Sequence, residues 1–587
     1  MNKLIAIFIF SILTGPNAVA QTANLNTTRQ LHELFKEDWE WSLKEFPESA
    51  TYLGDNRYND RLTDLSQDAI ERRKAHQREM LTRIKQIDRS RLKGQDAISY
   101  DLFLLDKQTE VDSQKFPLEL IPMTQMDGPQ ITLGQLAAST PLETVTDYEN
   151  FIKRLEALPK YLDQVMALMQ RGINVAWVPP AGPLRSVPSQ IEGQIVSDPI
   201  KSPLYDGFEK FPREMSTADR SRLRDRGEAV ISRQVMPALR RFSAFVKDVY
   251  IPACRKDIAA TALKDGSAYY DYSIRARTTT NLTPQQIHDV GQREVTRIRA
   301  EMEALIKQVE FKGTFQQFLT FLRTDKQFYF TKPEDLVTSY AAIAKRMDAE
   351  LPRLFAELPR TPYGVREIPD YEAPAQTTAY YLPSAADGSR AGYFYVNTYK
   401  LDTRPKYEME ALSLHEAVPG HHLQIARAQE LKDLPDFRRN GSYTAYVEGW
   451  GLYAESLGDD IDFYSGPYSR FGQLTYEMWR AARLVVDTGM HALGWSRQQA
   501  IDFMLQNTAK TENDVIVEID RYIVWPAQAL AYKLGELKIK ELRAKAEKAL
   551  GASFDIRRFH NAVLDNGPLP LNVLEKEIDR WISTQKR

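Results

Sequence analysis

Cysteine is almost missing from this sequence: of 587 residues only Cys254 is one. A single thiol closes no internal disulfide, so the fold must rest on core burial, which a chain of this length can supply. Cys254 ends the run Tyr250-Ile251-Pro252-Ala253-Cys254, with no histidine near it in sequence, and reads as a buried structural thiol rather than a nucleophile. An excess of either charge is also missing. The 77 Lys and Arg stand against 79 Asp and Glu, which argues against nucleic acid or an anionic membrane as the main partner. Glycine-rich phosphate loops and a G-x-S-x-G elbow are absent, so nucleotide and serine-hydrolase chemistry have no support. No internal repeat and no low-complexity tract is present.

Long apolar runs are scarce too, except at the start. Met1-Asn2-Lys3, the apolar stretch Leu4 to Leu13 and the small-residue site Ala18-Val19-Ala20 form a secretory signal peptide over residues 1–20. It is too short for a membrane span. Cleavage is expected after Ala20, with export across the inner membrane to the periplasm and no integral span. No cysteine follows the apolar stretch, so no lipid anchor is expected at the signal.

What is abundant is helical pattern. Residues 67–88 and 143–172 carry apolar positions at three- and four-residue spacing. Thr283-Pro284-Gln285-Gln286 reads as a capping box with Pro at the first helical position. Ile287, Val290, Ile298, Met302, Leu305 and Val309 follow as an apolar stripe. Strand signals are few, the clearest being Gly392 to Thr398 after Gly388. Residues 176–212 and 357–375, rich in Pro and polar residues, read as loops, the first as a long ordered loop or lobe junction. The division suggested is an N-terminal helical lobe over 21–270 and a C-terminal lobe over 271–587.

Histidine is scarce as well, with eight in all, and three of them crowd into Leu414-His415-Glu416-Ala417-Val418-Pro419-Gly420-His421-His422-Leu423-Gln424. Such crowding beside a glutamate suggests a metal site. In the H-E-x-x-H pattern both imidazoles share one helix face and the Glu can deprotonate zinc-bound water. Here Pro419 occupies the second histidine's place. On a regular helix His421 would lie roughly 240° away from His415, and His422 would share its face but sit about 10 Å along the axis. Either ligand therefore needs a distorted helix, and Pro419 with Gly420 can distort it. A bulge at Ala417–Pro419 is the expectation. Downstream, Ala445 to Glu455 reads as helix despite its glycines. Its Glu448 and Glu455, seven apart, suit a metal ligand and an outer carboxylate that orients an imidazole. Three protein ligands plus water would make an open, catalytic zinc site.

These motifs carry two resemblances. His415-Glu416, Gly420-His421, then Tyr446-Val447-Glu448 and Glu455 resemble the gluzincin peptidases of the oligopeptidase F and thimet oligopeptidase type, with two extra residues between the His-Glu and Gly-His pairs. That match implies His415, His421 and Glu448 as ligands, Glu416 as general base and His422 as the alternative second ligand. The closer resemblance is to the bacterial domain-of-unknown-function family 885. Its motifs run from His415 to Gln424, Val447 to Glu455, Arg483 to His491 and Arg521 to Gly535, with Ala527 where the family usually has Gly. It implies a mainly α, two-lobed, gluzincin-like fold with a deep cleft, edged by a small β-sheet.

Other residues are candidates with a bland alternative each. Tyr532 is a candidate oxyanion donor or a packed tyrosine. Arg521 and Tyr522 are candidates for a substrate carboxylate, against an internal salt bridge for Arg521. Asp487 and His491, four apart, are an outer pair near the metal or a structural pair. Tyr395 and Asn397 belong to a strand whose backbone could pair with an extended peptide. The function expected is a zinc peptidase acting on short or unfolded peptides. A zinc hydrolase of a non-peptide amide or ester, and a non-catalytic periplasmic binding protein, are the alternatives, and oligomeric state is not legible.

Overall fold

The computed structural model describes residues 16–369, 373, 376–384 and 390–586. The charged start and apolar stretch of the expected signal peptide fall in residues 1–15, outside that range. The expected cleavage bond after Ala20 lies within helix α1, Pro16–Glu45. Among the described residues no helix is long and apolar enough to cross a membrane.

The chain is mainly helical, as its patterning implies. Helix α2, Gln67–Gln86, starts where the Ser66 hydroxyl accepts the Ala69 N–H, and ends at the extended Ile87. Helix α3 follows at Gly94–Ser113. Helix α4, Val145–Asn174, begins two residues later than the periodicity suggests, because Thr144 and Asp147 close a capping box there.

Residues 176–212, read as a long ordered loop or lobe junction, pack into a core. They contribute Leu184, Val187, Ile191, Leu204 and Phe208 to the apolar core that residues 123–254 build around α4. Cys254 belongs to this core, and burial pushes its thiol up to about 12, as a structural cysteine requires. The expected boundary between residues 270 and 271 falls inside helix α5, Gly266–Thr278. There Tyr270 and Ile274 pack against Ile287, Leu484 and Leu534. The boundary drawn there thus falls in a partly buried helix rather than in an exposed linker. Ile98 and Leu102 of α3 also share a core with residues 347–582.

Helix α6, Pro284–Gln308, has the expected capping box. Ile287, Ile298 and Met302 are buried as foreseen. Val295 and Ile306 take the inner positions where Val290, Leu305 and Val309 are only half-buried. The small sheet has β1 (Tyr363–Glu367), β2 (Ala379–Leu382) and β3 (Gly392–Val396) in the order β1-β3-β2, with β1 parallel and β2 antiparallel to β3. Thus β3, the strand read from the sequence, is the middle one. β1 forms inside a segment read as loop, which no apolar alternation announced. The remainder of that loop from 370 to 375 lies outside the described residues except Ala373, as does Gly388.

The helices of the His- and Glu-bearing motifs, with their neighbours, lie in the last third of the chain. They are α7 (Met409–Glu416), α8 (His421–Glu430), α9 (Thr444–Asp460), α10 (Pro467–Ala492), α11 (Glu512–Val524), α12 (Ala531–Leu550) and α13 (Ile556–Leu564). Helix α9 crosses α12 with backbones nearly touching. A Cβ on Gly449 would meet the Gly535 Cα at 2.5 Å, and one on Gly535 would meet the Ala445 carbonyl at 1.8 Å. Glycines that weaken a helix in isolation are the condition for this crossing.

Candidate metal centre

The broken H-E-x-x-H pattern is resolved by ending one helix and starting another, rather than by the bulge within one helix that the sequence suggests. Helix α7 stops at Glu416, the Val418–Pro419 peptide is cis, and α8 starts at His421. Hydrogen bonds stitch the gap: Ala417 N–H to Ser413 O at 3.0 Å, His422 N–H to Ala417 O at 3.1 Å and Gln424 N–H to Gly420 O at 3.0 Å. The Trp450 indole donates to the Pro419 carbonyl at 2.8 Å and holds the turn against α9. A Cβ at Gly420 would lie 1.9 Å from the His415 carbonyl oxygen, so only glycine lets the chain fold back this tightly.

This turn brings His421, not His422, beside His415. The two imidazoles stand edge to face with centroids 4.6 Å apart. Glu448 Oε2 lies 3.7 Å from His415 Nε2 and 3.5 Å from His421 Nε2. Among the described residues these three form the one group of His, Cys, Asp or Glu whose ligand atoms converge, all within 4.8 Å of one another. Two nitrogens and a carboxylate oxygen on bonds of about 2.0–2.2 Å to a tetrahedral zinc would be spaced by about 3.3–3.5 Å, so the set fits such an ion with little movement. Gly451 faces the His415 ring, where a Cβ would meet Cε1 at 2.6 Å.

Glu455 sits two turns beyond Glu448 on α9 and accepts from His415 Nδ1 at 2.8 Å. That bond fixes the ring and leaves Nε2 facing the convergence point. Burial disfavours the His415 imidazolium, yet Glu448 and Glu455 together pull its pKa up to about 9. Burial also pushes the Glu448 carboxyl up, but hydrogen bonds and charge from the two imidazoles outweigh it and hold it well below the usual range. A cation is what this donor set favours. His421 Nδ1 is buried and has no hydrogen-bond partner among the described residues.

Glu416 lines the same cavity, of about 340 Å³, as these three ligand candidates. Among the described residues it makes no hydrogen bond or ion pair. Burial raises its pKa, with His421 and His415 opposing. Strand β2 and helices α10, α11 and α12 complete the wall. Tyr532 is in it, its hydroxyl accepting from Arg521 Nη2 at 3.4 Å. Arg521 is there too, but it is mostly spent on Glu518 at 3.2 Å and Gln528 at 2.6 Å.

The other residues singled out from the sequence lie elsewhere. His422 turns to the sheet, where its Nδ1 meets the Tyr381 hydroxyl at 2.8 Å, and burial drives its pKa down to about 4. Tyr522 is behind the wall. Its hydroxyl donates to Glu518 and accepts from Arg483 at 2.7 Å and Trp479 at 3.0 Å. Asp487 and His491 do not pair with each other and do not reach the cavity. Asp487 accepts from the Tyr270 hydroxyl at 2.6 Å and from Ala527 N–H at 3.2 Å. Ala527 has φ of +66°, so a left-handed turn, anchored by Asp487, explains why glycine suits this position. His491 accepts from Ala260 N–H at 3.0 Å and donates to the Tyr522 carbonyl at 3.0 Å. Asn397 gives its amide to the carbonyls of Ala373, Gln376 and Thr377. Tyr395 stacks on Tyr380 at 5.0 Å. Because β3 is paired on both sides, its backbone cannot receive a peptide; β2 is the strand at the cavity.

Arg480, Arg483 and Glu518 are wall residues for which sequence reasoning found no role. The signals available were the three-residue spacing of Arg480 and Arg483 on one helix and of Glu518 and Arg521 on another, and Arg483 at the head of a quoted motif.

Comparison with curated proteins returns no match. Among solved structures, a candidate lipoprotein from Colwellia psychrerythraea is similar at 28% identity and a TM-score of 0.89, over 95% of this chain and 100% of that one. A candidate lipoprotein of unknown function from Shewanella oneidensis shares the fold at 17% identity and a TM-score of 0.71, over 94% and 99%. The profile of the bacterial proteins of unknown function called DUF885 matches residues 47–578, nearly the whole length, and the chain belongs to that family.

Proposed function

We propose that this protein is a zinc-dependent peptidase of the gluzincin type, acting on short or unfolded peptides. The observation that carries the reading is the convergence of His415, His421 and Glu448 in one cavity with a free carboxyl group, Glu416. A binding protein has no need of such a base beside a metal. Zinc fits the two imidazoles and one carboxylate better than magnesium or calcium, which prefer oxygen donors.

A zinc ion held there would supply Lewis acidity to polarise the scissile carbonyl and acidify water. The protein's own groups do the rest. Glu455 keeps His415 in one tautomer through Nδ1. Glu416 takes a proton from the attacking water and passes it to the leaving amine, and its raised pKa suits a group that must both accept and return a proton. Tyr532 is placed in the wall to donate to the developing oxyanion. Ala379, Tyr380 and Tyr381 of β2 line the cavity, and in this reading β2 is the strand beside which an extended peptide would lie. Export is part of the proposal: the Met1–Ala20 pattern supports it, and both structural relatives are described as lipoproteins.

The test is metal content and peptide cleavage on the purified protein. About one zinc per chain is expected, removable by chelator together with activity and absent from His415→Ala and Glu448→Ala. A peptide library left uncut by zinc-loaded protein would overturn the reading.

A further inference from the structure

Three arginines line the cavity, and each has an N–H that no group among the described residues accepts. These are Nε of Arg480, Nη1 of Arg483 and Nε of Arg521, all buried. The three side chains are at least nine-tenths buried themselves. Buried charged donors without acceptors are costly, and three side chains carrying such donors around one cavity are where a ligand would supply acceptors.

The charge of that ligand follows from the counter-ions. Glu455 faces Arg480, with Oε1 3.7 Å from Nη2. Glu518 serves both other arginines: its Oε1 accepts from Arg521 at 3.2 Å and its Oε2 from Arg483 at 3.1 Å, with Tyr522 on Oε2 as well. Arginine keeps Glu518 ionised, down to about 2 against the cost of burial. Two carboxylates thus bond or pair with three guanidinium groups, and Glu416, on which Arg480 also acts, is the other acid of the cavity beside the ligand candidate Glu448. Arg483 is the most rigidly held of the three. Tyr522 accepts from its Nε, Glu518 from its Nη2, and the Tyr532 ring lies under it at 4.4 Å, leaving Nη1 as the free arm. Arg480 is one helical turn away on the same face of α10.

We infer that Arg483, assisted by Arg480, binds a carboxylate of the substrate, so that the peptide cut here is one whose free C-terminal carboxylate enters the cavity. The inference rests on the peptidase reading for the bond that is broken, but not for the carboxylate itself. Guanidinium groups match carboxylates in geometry and charge. The cavity, at the small end of the roughly 300–1,000 Å³ range of ligand sites, suits a chain end. Arg521, the arginine that sequence alone suggests, instead braces the wall through Glu518 and Gln528.

Zinc-loaded Glu416→Gln protein would be titrated calorimetrically with an acetylated tripeptide as the free acid, as the C-terminal amide, and as the amide with aspartate in the last position. The free acid is expected to bind about 10- to 100-fold tighter than the amide, the span that a lost charge-assisted hydrogen bond covers. Adding Arg483→Lys or Arg480→Lys, each checked for unchanged zinc content and melting temperature, should shrink that ratio. Rescue of the amide by aspartate would transfer the carboxylate from chain end to side chain and overturn the C-terminal assignment. Equal binding of acid and amide, discrimination that survives both arginine variants, or no binding by any peptide would overturn the inference entirely. Wild-type cleavage run in parallel separates the two claims: selective binding without cleavage removes the peptidase reading alone, and equal cleavage of acid and amide removes the carboxylate site alone.

Discussion

Tyr532 and Lys533 are neighbours on α12, and Glu477 and Arg480 are a turn apart on α10, yet they serve two buried networks of different kinds. Lys533 is fully buried, and its ammonium meets Glu477 at 2.7 Å, Glu536 at 2.7 Å and Glu294 at 3.2 Å. Three hydrogens find three carboxylates, and Arg297 closes on Glu477 from α6. Around the cavity, α10 with α8 and α11 leaves an imidazole nitrogen and three guanidinium N–H groups without acceptors among the described residues. The first network spends its polarity inside the protein and ties α6, α10 and α12 together. The second keeps polarity for something that comes from outside.

The sharpest way to break this comparison is to cut one group from each side. Glu416→Gln should lower kcat by about 10²- to 10⁴-fold, as removal of a general base does, while zinc content and melting temperature stay put. Retained activity would mean that the base is elsewhere. Lys533→Met should do the reverse. It leaves Glu477, Glu536 and Glu294 with only the more exposed Arg297 and Lys540 as cations, a loss of about 3–5 kcal/mol in a denaturant titration, with zinc affinity unchanged. A stable Lys533→Met protein would show that the network is not what ties these helices. Smaller is the effect of Glu455→Gln, which keeps the shape but weakens the hold on His415. Zinc affinity should fall by about 10- to 100-fold in a competition assay with a chelator, and an unchanged affinity would remove Glu455 from the metal site.

The sequence displays the open network poorly and the ligands well, for a physical reason. Histidines are few, so His415, His421 and His422 stand out, and seven-residue spacing alone puts Glu448 and Glu455 on one face. The choice between His421 and His422 depended on a four-residue turn whose path is set by Gly420 and by the Trp450 hydrogen bond, neither of which spacing encodes. Arginines are common, and Arg480 and Arg483 become informative only when burial shows which of their hydrogens lack partners. Helices α2, α4 and α6 were legible because caps and periodicity are local. Strand β1 was not, because its pairing with β3 lies 29 residues away in sequence and its own residues alternate weakly. Tyr270 gives as little local sign, since only its long-range packing reveals that α5 contributes to a core.

The contrast between closed and open groups extends to the histidines, and pH can sharpen it. His560 of α13 spends both ring nitrogens, on the Leu354 carbonyl at 2.7 Å and the Tyr453 hydroxyl at 2.8 Å. Burial drives its pKa down to about 4, as it does for His491. In the unfolded chain such a ring titrates near 6.5. Between pH 6.5 and 4 the unfolded state therefore binds a proton that the folded state refuses, so stability is full above 6.5 and is lost as pH falls toward 4. The slope is at most about 1.4 kcal/mol per pH unit for each ring. His560→Gln should remove one proton's worth of that slope whatever it does to the stability at neutral pH, because the two quantities are read separately from denaturant titrations across the range. A slope that does not change would mean that His560 takes its proton within the folded protein, and that a histidine with both nitrogens spent is not, after all, closed to the solvent.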